Sequence, residues 1–289
     1  MDSELKDLVG AAPSIERLVT GMGAPFQNKG EQFTEGPVFS RRGYLLFCDI
    51  PTMRIMKLEQ NQLSVFRVNR ASATGLTFDH QGRLLVCETG RLTRTEKDGS
   101  ITVLAESYQG KKLNIPNDLV YAIDGSIYFS DLRHRNAVDD HEHSPFSALY
   151  QLTPKGELRL ASRDCERPNG VALAPNQQKL YLADSGRRNI WVYEIAPDGS
   201  LKNGRVFADM SNGGPGVPDG LKTDEGGNVW VAGPGGIWVF NAGGRRLGTV
   251  PTPENPSNFC WGEGFHDLYV TARISVYKIA TRVNGTRTF

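Results

Sequence analysis

The sequence predicts an all-β fold, a six-bladed β-propeller whose ring is closed by an N-terminal strand added to the last blade. Three observations carry this. One two-strand pattern recurs six times, further strand pairs follow most of the copies, and 32 glycines with 16 prolines punctuate a chain that has few helix-period segments.

The recurrence begins with "EGPVFSRRGYLLFCD" (35–49), "TGLTFDHQGRLLVCE" (74–88) and "NDLVYAIDGSIYFSD" (117–131). It continues with "NGVALAPNQQKLYLAD" (169–184), "DGLKTDEGGNVWVAG" (219–233) and "NFCWGEGFHDLYVTA" (258–272). Each copy opens on a polar residue, runs through a short apolar strand, turns at a polar or glycine-rich hairpin and climbs a second apolar strand. The starts are 39, 43, 52, 50 and 39 residues apart, a spacing that fits about four short strands per propeller blade. Third and fourth strands are legible in "RIMKLE" with "LSVFRV", in "RLTRTEKDGSITVLA", in "SALYQLTPKGELRLAS" and in "NIWVYEIAPDGSLKNGRVFAD". The sixth copy has "SVYKIA" (275–280) and then runs out of chain. Its outer strand is expected from "SIERLVT" (14–20), within an N-terminal arm spanning 1–30. Closing the ring in this way leaves no unpaired radial edge. With no linker-like stretch to divide it, 1–289 reads as a single propeller domain.

Composition narrows the function. At 289 residues, 39% hydrophobic, the chain can bury a large core. A formal net charge of +1 lacks the basic excess of a nucleic-acid footprint and gives no steering toward anionic membranes. The start, "MDSELKDLVG", is acidic and reads as no signal peptide, and no run of about 18 apolar residues spans a bilayer. The expectation is a cytoplasmic protein acting on a small molecule, without nucleic-acid or membrane partners; oligomeric state is not legible. Cys48, Cys87, Cys165 and Cys260 are widely spaced, without a C-x-x-C pair, and are expected as free thiols.

The first position of the six copies reads Glu35, Thr74, Asn117, Asn169, Asp219 and Asn258. Innermost propeller strands surround the axis, so these side chains are expected at one end of the central channel. Asn and Asp before Gly are common turn formers. Their falling in one register across the blades is what favours a site. Glu35, Asn117, Asn169 and Asp219 are strong oxygen donors without histidine or thiolate, which suits a hard divalent cation, calcium first. Two carboxylates balance the dication and two amides add oxygens without charge. Thr74 and Asn258 complete the ring as supporting or substrate-contacting groups. A second polar register, Asp49, Glu88, Asp131 and Asp184, is expected to cap turns through backbone amides.

These residues resemble the senescence marker protein (regucalcin)/gluconolactonase family of calcium-dependent six-bladed propellers. "EGPVF", "LNIPNDLV", "RPNGVAL", "VPDGLKTD" and "NPSNFCWG…LYVTA" look like its blade signatures and cover the chain from about residue 30 onward. The resemblance implies metal ligands Glu35, Asn117, Asn169 and Asp219 and a lactone-hydrolysing activity. The sequence also departs from the family. Ile115 stands where the regucalcin branch carries a lactone-contacting arginine, Thr74 replaces an asparagine common in bacterial members, and "DLRHRN" replaces "DPPYG". These differences bear on a simple aldonolactone substrate.

The longest loop at the channel mouth, "DLRHRNAVDDHEHSPFSA" (131–148), holds His134, His141 and His143, and loops of such length are often lids. His141 and His143 form a H-x-H pair without a third zinc ligand, and His266 belongs to a hairpin at the opposite end. The leading reading is a metal-dependent lactonase or esterase, in which the ion polarises the carbonyl and water attacks with Asp219 or the lid residue His134 as general base. Candidate substrate contacts are Asn114, Ile115, Thr74, Asn258 and Phe146. Ile50, Met53 and Leu132 add apolar character to the mouth, which points to something less polar than a sugar lactone. The alternatives are phosphotriester hydrolysis with Asp219 as nucleophile, and a non-catalytic calcium-stabilised propeller that binds a ligand.

Overall fold

A computed structural model describes residues 2–23, 33–133, 141–262, 264 and 266–286. Six four-stranded antiparallel sheets form six blades, each running from an innermost to an outermost strand. The innermost strands are Thr34–Ser40, Ala73–Phe78, Ile115–Tyr121, Pro168–Leu173, Leu221–Thr223 and Pro256–Gly262. In the first five blades the remaining strands follow in chain order. In the sixth, Asp267–Ala272 and Ser275–Ala280 are followed by Ile15–Val19 from the N-terminal arm, antiparallel to Ser275–Ala280. The closing strand thus falls inside the 14–20 segment expected to supply it.

Residue chemistry explains the layering. Second strands lie between neighbours within their own sheet and are covered on both faces by adjacent blades, so they read as almost continuous apolar runs such as Leu84–Glu88 and Val229–Gly233, buried throughout. Outermost strands face solvent: Gln62–Val68 is exposed at nearly every position. Between each pair of blades lies one apolar cluster. Val120, Tyr128 and Leu149 of the third blade meet Val171, Leu182 and Tyr193 of the fourth. Val19, Tyr269 and Val276 of the closing blade meet Leu45 and Phe47 of the first. The four cysteines are buried and free, in keeping with the thiols expected.

A two-stranded ribbon, Ser107–Tyr108 with Lys111–Lys112, and an N-terminal helix have no counterpart in the sequence reading. The helix, Ser3–Val9, is capped at its start by the Asp2 side chain, which accepts from the Glu4 amide. Its Leu5 and Val9 enter the cluster between blades five and six, beside Trp230, Phe259 and Tyr277. Arg245 reaches Asp2 at 2.7 Å and Glu4 at 2.5 Å from the outer part of blade five. The arm is therefore attached to the ring by a packed helix as well as by a strand.

Candidate metal and catalytic centre

Pairing between first and second strands slips close to the mouth residue in five blades. The irregularities fall between Glu35 and Val38, Ala73 and Leu76, Pro116 and Leu119, Pro168 and Val171, and Pro256 and Asn258. A bulge adds a residue without a ladder partner and re-aims its side chain, and bulges concentrate at the rims of barrels and beside active sites. In blade five, regular strand begins only at Leu221. Asp219 donates its amide to the Ala232 carbonyl at 2.9 Å, and the Ala232 amide donates to the Gly220 carbonyl at 2.8 Å.

Close approach of neighbouring mouths explains the glycine that often follows the mouth residue. A Cβ on Gly36, which has φ +55°, would run into the Thr74 carbonyl oxygen, and one on Gly220 would run into the Asn258 side chain. Buried hydroxyls then tie blade to blade. Thr74 Oγ1 donates to the Asn117 carbonyl at 2.7 Å, Ser130 Oγ to that of Asn169 at 2.7 Å, Ser185 Oγ to that of Pro218 at 2.6 Å, and Ser257 Oγ to that of Thr34 at 2.6 Å. Each hydroxyl fixes the backbone at or beside a mouth position of the next blade.

The mouth side chains meet. Glu35 Oε2 accepts from the Gly36 amide at 2.5 Å and from Asn258 Nδ2 at 3.1 Å; neither donor uses Oε1. Asp219 accepts a hydrogen bond from the Asn169 side chain and lies within electrostatic reach of Glu35. Asn169 Nδ2 also donates to Ser185 Oγ at 3.0 Å, which leaves its carbonyl oxygen to other partners. Glu35 is buried, while Asn117, Asn169 and Asp219 are half-buried at the channel opening. Burial, and after it the charge of Asp118, pushes the Glu35 carboxyl up to about 7. Burial followed by Glu35 and Asp118 raises Asp219 well above the ordinary carboxylate range.

Two groups missing from the sequence reading share this space. Asp118 is buried, its Oδ1 accepting from the Leu119 amide at 2.9 Å, with Oδ2 3.5 Å from Lys222 Nζ. Lys222 Nζ also donates to Asn258 Oδ1 at 3.3 Å and to the Leu221 carbonyl at 3.1 Å. Both carried a signal. Asp118 stands where four other copies have glycine, and Lys222 lies three residues past its mouth position, where the other copies read Val38, Thr77, Val120, Ala172 and Trp261. Lys222 also borders a cavity of about 520 Å³ that runs along the axis away from the mouth, between Val38, Leu76, Leu119, Val171, Thr223 and Trp261. The four oxygen donors do not line that cavity.

The donor set fits a hard cation. Asp118 raises the proton affinity of Glu35 and, together with Glu35, that of Asp219, against the single ammonium of Lys222, an imbalance of charge that a dication relieves.

Other expected site residues take defined places. Thr74 and Asn258 support the ring through the bonds given above. Asn114 Nδ2 donates to Asp131 Oδ2 at 3.2 Å and to the Phe146 carbonyl at 3.1 Å, tying the long loop to the third blade. Ile115 pairs with Leu132, and the Phe146 ring lies under the Arg163 guanidinium at 3.9 Å. His134 lies outside the described residues. His143 bridges in parallel to Lys112.

The second polar register caps backbone in three cases. Asp184 accepts from the amides of Glu166, Arg167, Gly186 and Arg187; Asp131 accepts from that of Asn114, and Asp49 from that of Gly23. Glu88 differs, pairing with Arg67 at 2.5 Å and Arg91 at 2.7 Å.

Comparison with known proteins agrees with this architecture. A family model described as the SMP-30/Gluconolactonase/LRE-like region matches residues 33–274. A gluconolactonase of Zymomonas mobilis is 30% identical over 285 residues, covering 88% of this chain and 80% of that protein. The solved structure of a gluconolactonase from Xanthomonas campestris superposes with a TM-score of 0.86 at 28% identity, covering 97% of this chain and 93% of that one. The structure of regucalcin from Agrobacterium tumefaciens, described as a calcium-binding protein, shares the fold with a TM-score of 0.77 at 17% identity, covering 96% of each chain.

Proposed function

Because the chain belongs to the SMP-30/gluconolactonase/LRE-like family, we propose that it is a hydrolase that opens lactones, using a divalent cation held by Glu35, Asn117, Asn169 and Asp219. The observation that carries this reading is the convergence of Glu35, Asn169, Asp219 and Asn258 at one channel mouth, although as many as 223 residues separate them in the chain. Oxygen-only donors favour calcium among biological dications. A divalent cation in this position supplies Lewis acidity toward the lactone carbonyl.

The chain's own groups supply the rest. Asn258 and the Gly36 amide hold one oxygen of Glu35, so that Oε1 is the oxygen left for ligation. Asp219 is the proposed general base toward the attacking water. Coordination to a dication alone makes a carboxylate a poor base, but Glu35 and Asp118 beside it act in the opposite sense and keep its proton affinity up. His134 is the alternative base, from the long loop. Lactone opening needs no departing fragment to diffuse away, since the alcohol and acid remain one molecule, so one mouth serves for entry and exit.

The substrate reading is a lactone less polar than a sugar lactone. Phe33 lies two residues before Glu35, Met53 sits in the turn after Asp49, and Val217 lies two residues before Asp219; all three are exposed. Ile115 adds an apolar side chain beside Asn117. No helix among the described residues is long and apolar enough to cross a membrane, and the proposed partner is a small molecule.

The test is an assay of aldonolactones, alkyl-substituted lactones, aryl esters and a phosphotriester, each with and without EDTA. Chelator-sensitive lactone opening, restored by calcium, is the expected result. Chelator-insensitive hydrolysis, or turnover of the phosphotriester alone, overturns the reading.

A further inference from the structure

Lys222 and Asp118 carry charges at the channel centre that the proposed reaction leaves without a part. The ammonium of Lys222 reaches three oxygens from three blades: the Leu221 carbonyl at 3.1 Å, Asn258 Oδ1 at 3.3 Å and Asp118 Oδ2 at 3.5 Å. Its side chain is only 27% exposed, and that of Asp118 only 4%. Burying a lysine and an aspartate at this depth needs compensation, because removing one partner strands the other charge out of water. Neither is required by the strand pattern, since positions equivalent to Asp118 hold Gly36, Gly75, Gly170 and Gly220, and positions equivalent to Lys222 hold Val38, Val120 or Ala172.

The formal charges around the mouth are three negative, from Glu35, Asp118 and Asp219, and one positive, from Lys222. We propose that Lys222 and Asp118 act together as positioning residues that set the net charge of the mouth at minus two, matched to a single divalent cation. This inference rests on the metal-site reading given above. Without Lys222 the mouth would carry one negative charge too many for one dication; without Asp118 it would carry one too few. The orientation of Asn258 does not depend on the ammonium alone, because its Oδ1 also accepts from the Phe259 amide at 2.9 Å. Loss of Lys222 is therefore read out as a change of charge, with the Asn258–Glu35 contact retained.

Calorimetric titration of EDTA-stripped full-length protein with calcium tests this in four forms: wild type, Lys222→Met, Asp118→Asn and the double variant. The expected order of affinity follows charge. Lys222→Met binds roughly tenfold more tightly than wild type, Asp118→Asn roughly tenfold more weakly, and the double variant returns to within about threefold of wild type. All keep one ion per chain. A packing role for Lys222 predicts weaker binding in both single variants and no recovery in the pair, and that result overturns the proposal; so does equal affinity in all four forms. Should Lys222→Met fail to fold by circular dichroism, recovery of the fold in the double variant supports the pairing, and failure there as well overturns it. A wild type that binds no dication is a different outcome, which removes the metal-site reading itself.

Discussion

Asn258 donates its side-chain amide to the Glu35 carboxylate across 3.1 Å, joining the last blade to the first at the channel mouth. The bond holds one oxygen of Glu35 in place and links ring closure to ligand geometry. Replacing Asn258 with Ala is expected to weaken calcium binding about 10- to 100-fold, the usual effect of losing a group that orients a ligand. Titration calorimetry of the stripped protein measures it, alongside circular dichroism to show an intact fold.

Asp219 is expected to be indispensable in two ways. Asp219→Ala removes a ligand and the proposed base, and lactone turnover should fall at least about 10³-fold with calcium affinity reduced as well. Asp219→Asn keeps an oxygen donor but no base, so it should retain more of the metal affinity than of the turnover. Comparing kcat with the calcium Kd for the two variants separates the roles.

A mutation that adds one methyl group should act on the site through a neighbouring side chain. Gly220→Ala places a Cβ against the Asn258 side chain and pushes it off Glu35. The expected outcome resembles Asn258→Ala in metal affinity and adds a loss of about 1–3 kcal/mol of stability from overpacking. Thermal melts and calcium titration on the same preparation check both parts.

The ring register was legible because the mouth residue, its following glycine and the second apolar strand recur in nearly every copy. The six mouth positions, Glu35, Asn117, Asn169 and Asp219 among them, follow from that recurrence, and so does the closing strand, since "SVYKIA" lacks a partner; the choice of those four as proposed ligands rests on their oxygen chemistry. Asp118 and Lys222 were hidden for the opposite reason. They break the pattern in two different blades, and a contact across 104 residues becomes visible only when blades three and five face each other over the axis. The Ser3–Val9 helix is short, and its attachment depends on Leu5 and Val9 meeting a cluster built from blades five and six.

Burial pushes the Asp131 carboxyl up to about 6, even though the Asn114 backbone and side-chain amides hold it down. A raised carboxyl in the folded chain binds its proton more tightly than in the unfolded chain. Its stabilising contribution is therefore complete below about pH 4 and is lost as the pH rises through about 6. Stability should fall across that window by up to about 3 kcal/mol, and Asp131→Asn should flatten the slope. Denaturant unfolding at pH 4, 5, 6 and 7 for both proteins measures it.

The exposed apolar groups around the mouth give a substrate prediction. Alkyl-substituted lactones should show kcat/KM at least about tenfold above that of an unsubstituted aldonolactone. Met53→Ser and Val217→Ser should reduce that ratio without changing calcium affinity.

The strand Ile15–Val19 pairs with Ser275–Ala280, so a segment made before the first blade waits for one made with the last. During translation the first five blades can collapse as an open arc, but the ring has no seam to lock until the final hairpin leaves the ribosome. Glu35 meets Asn258 only at that moment. A nascent or truncated product lacking the last blade would therefore leave the apolar faces of blades five and one uncovered and the ion cradle broken, which couples quality control of the chain to completion of the site.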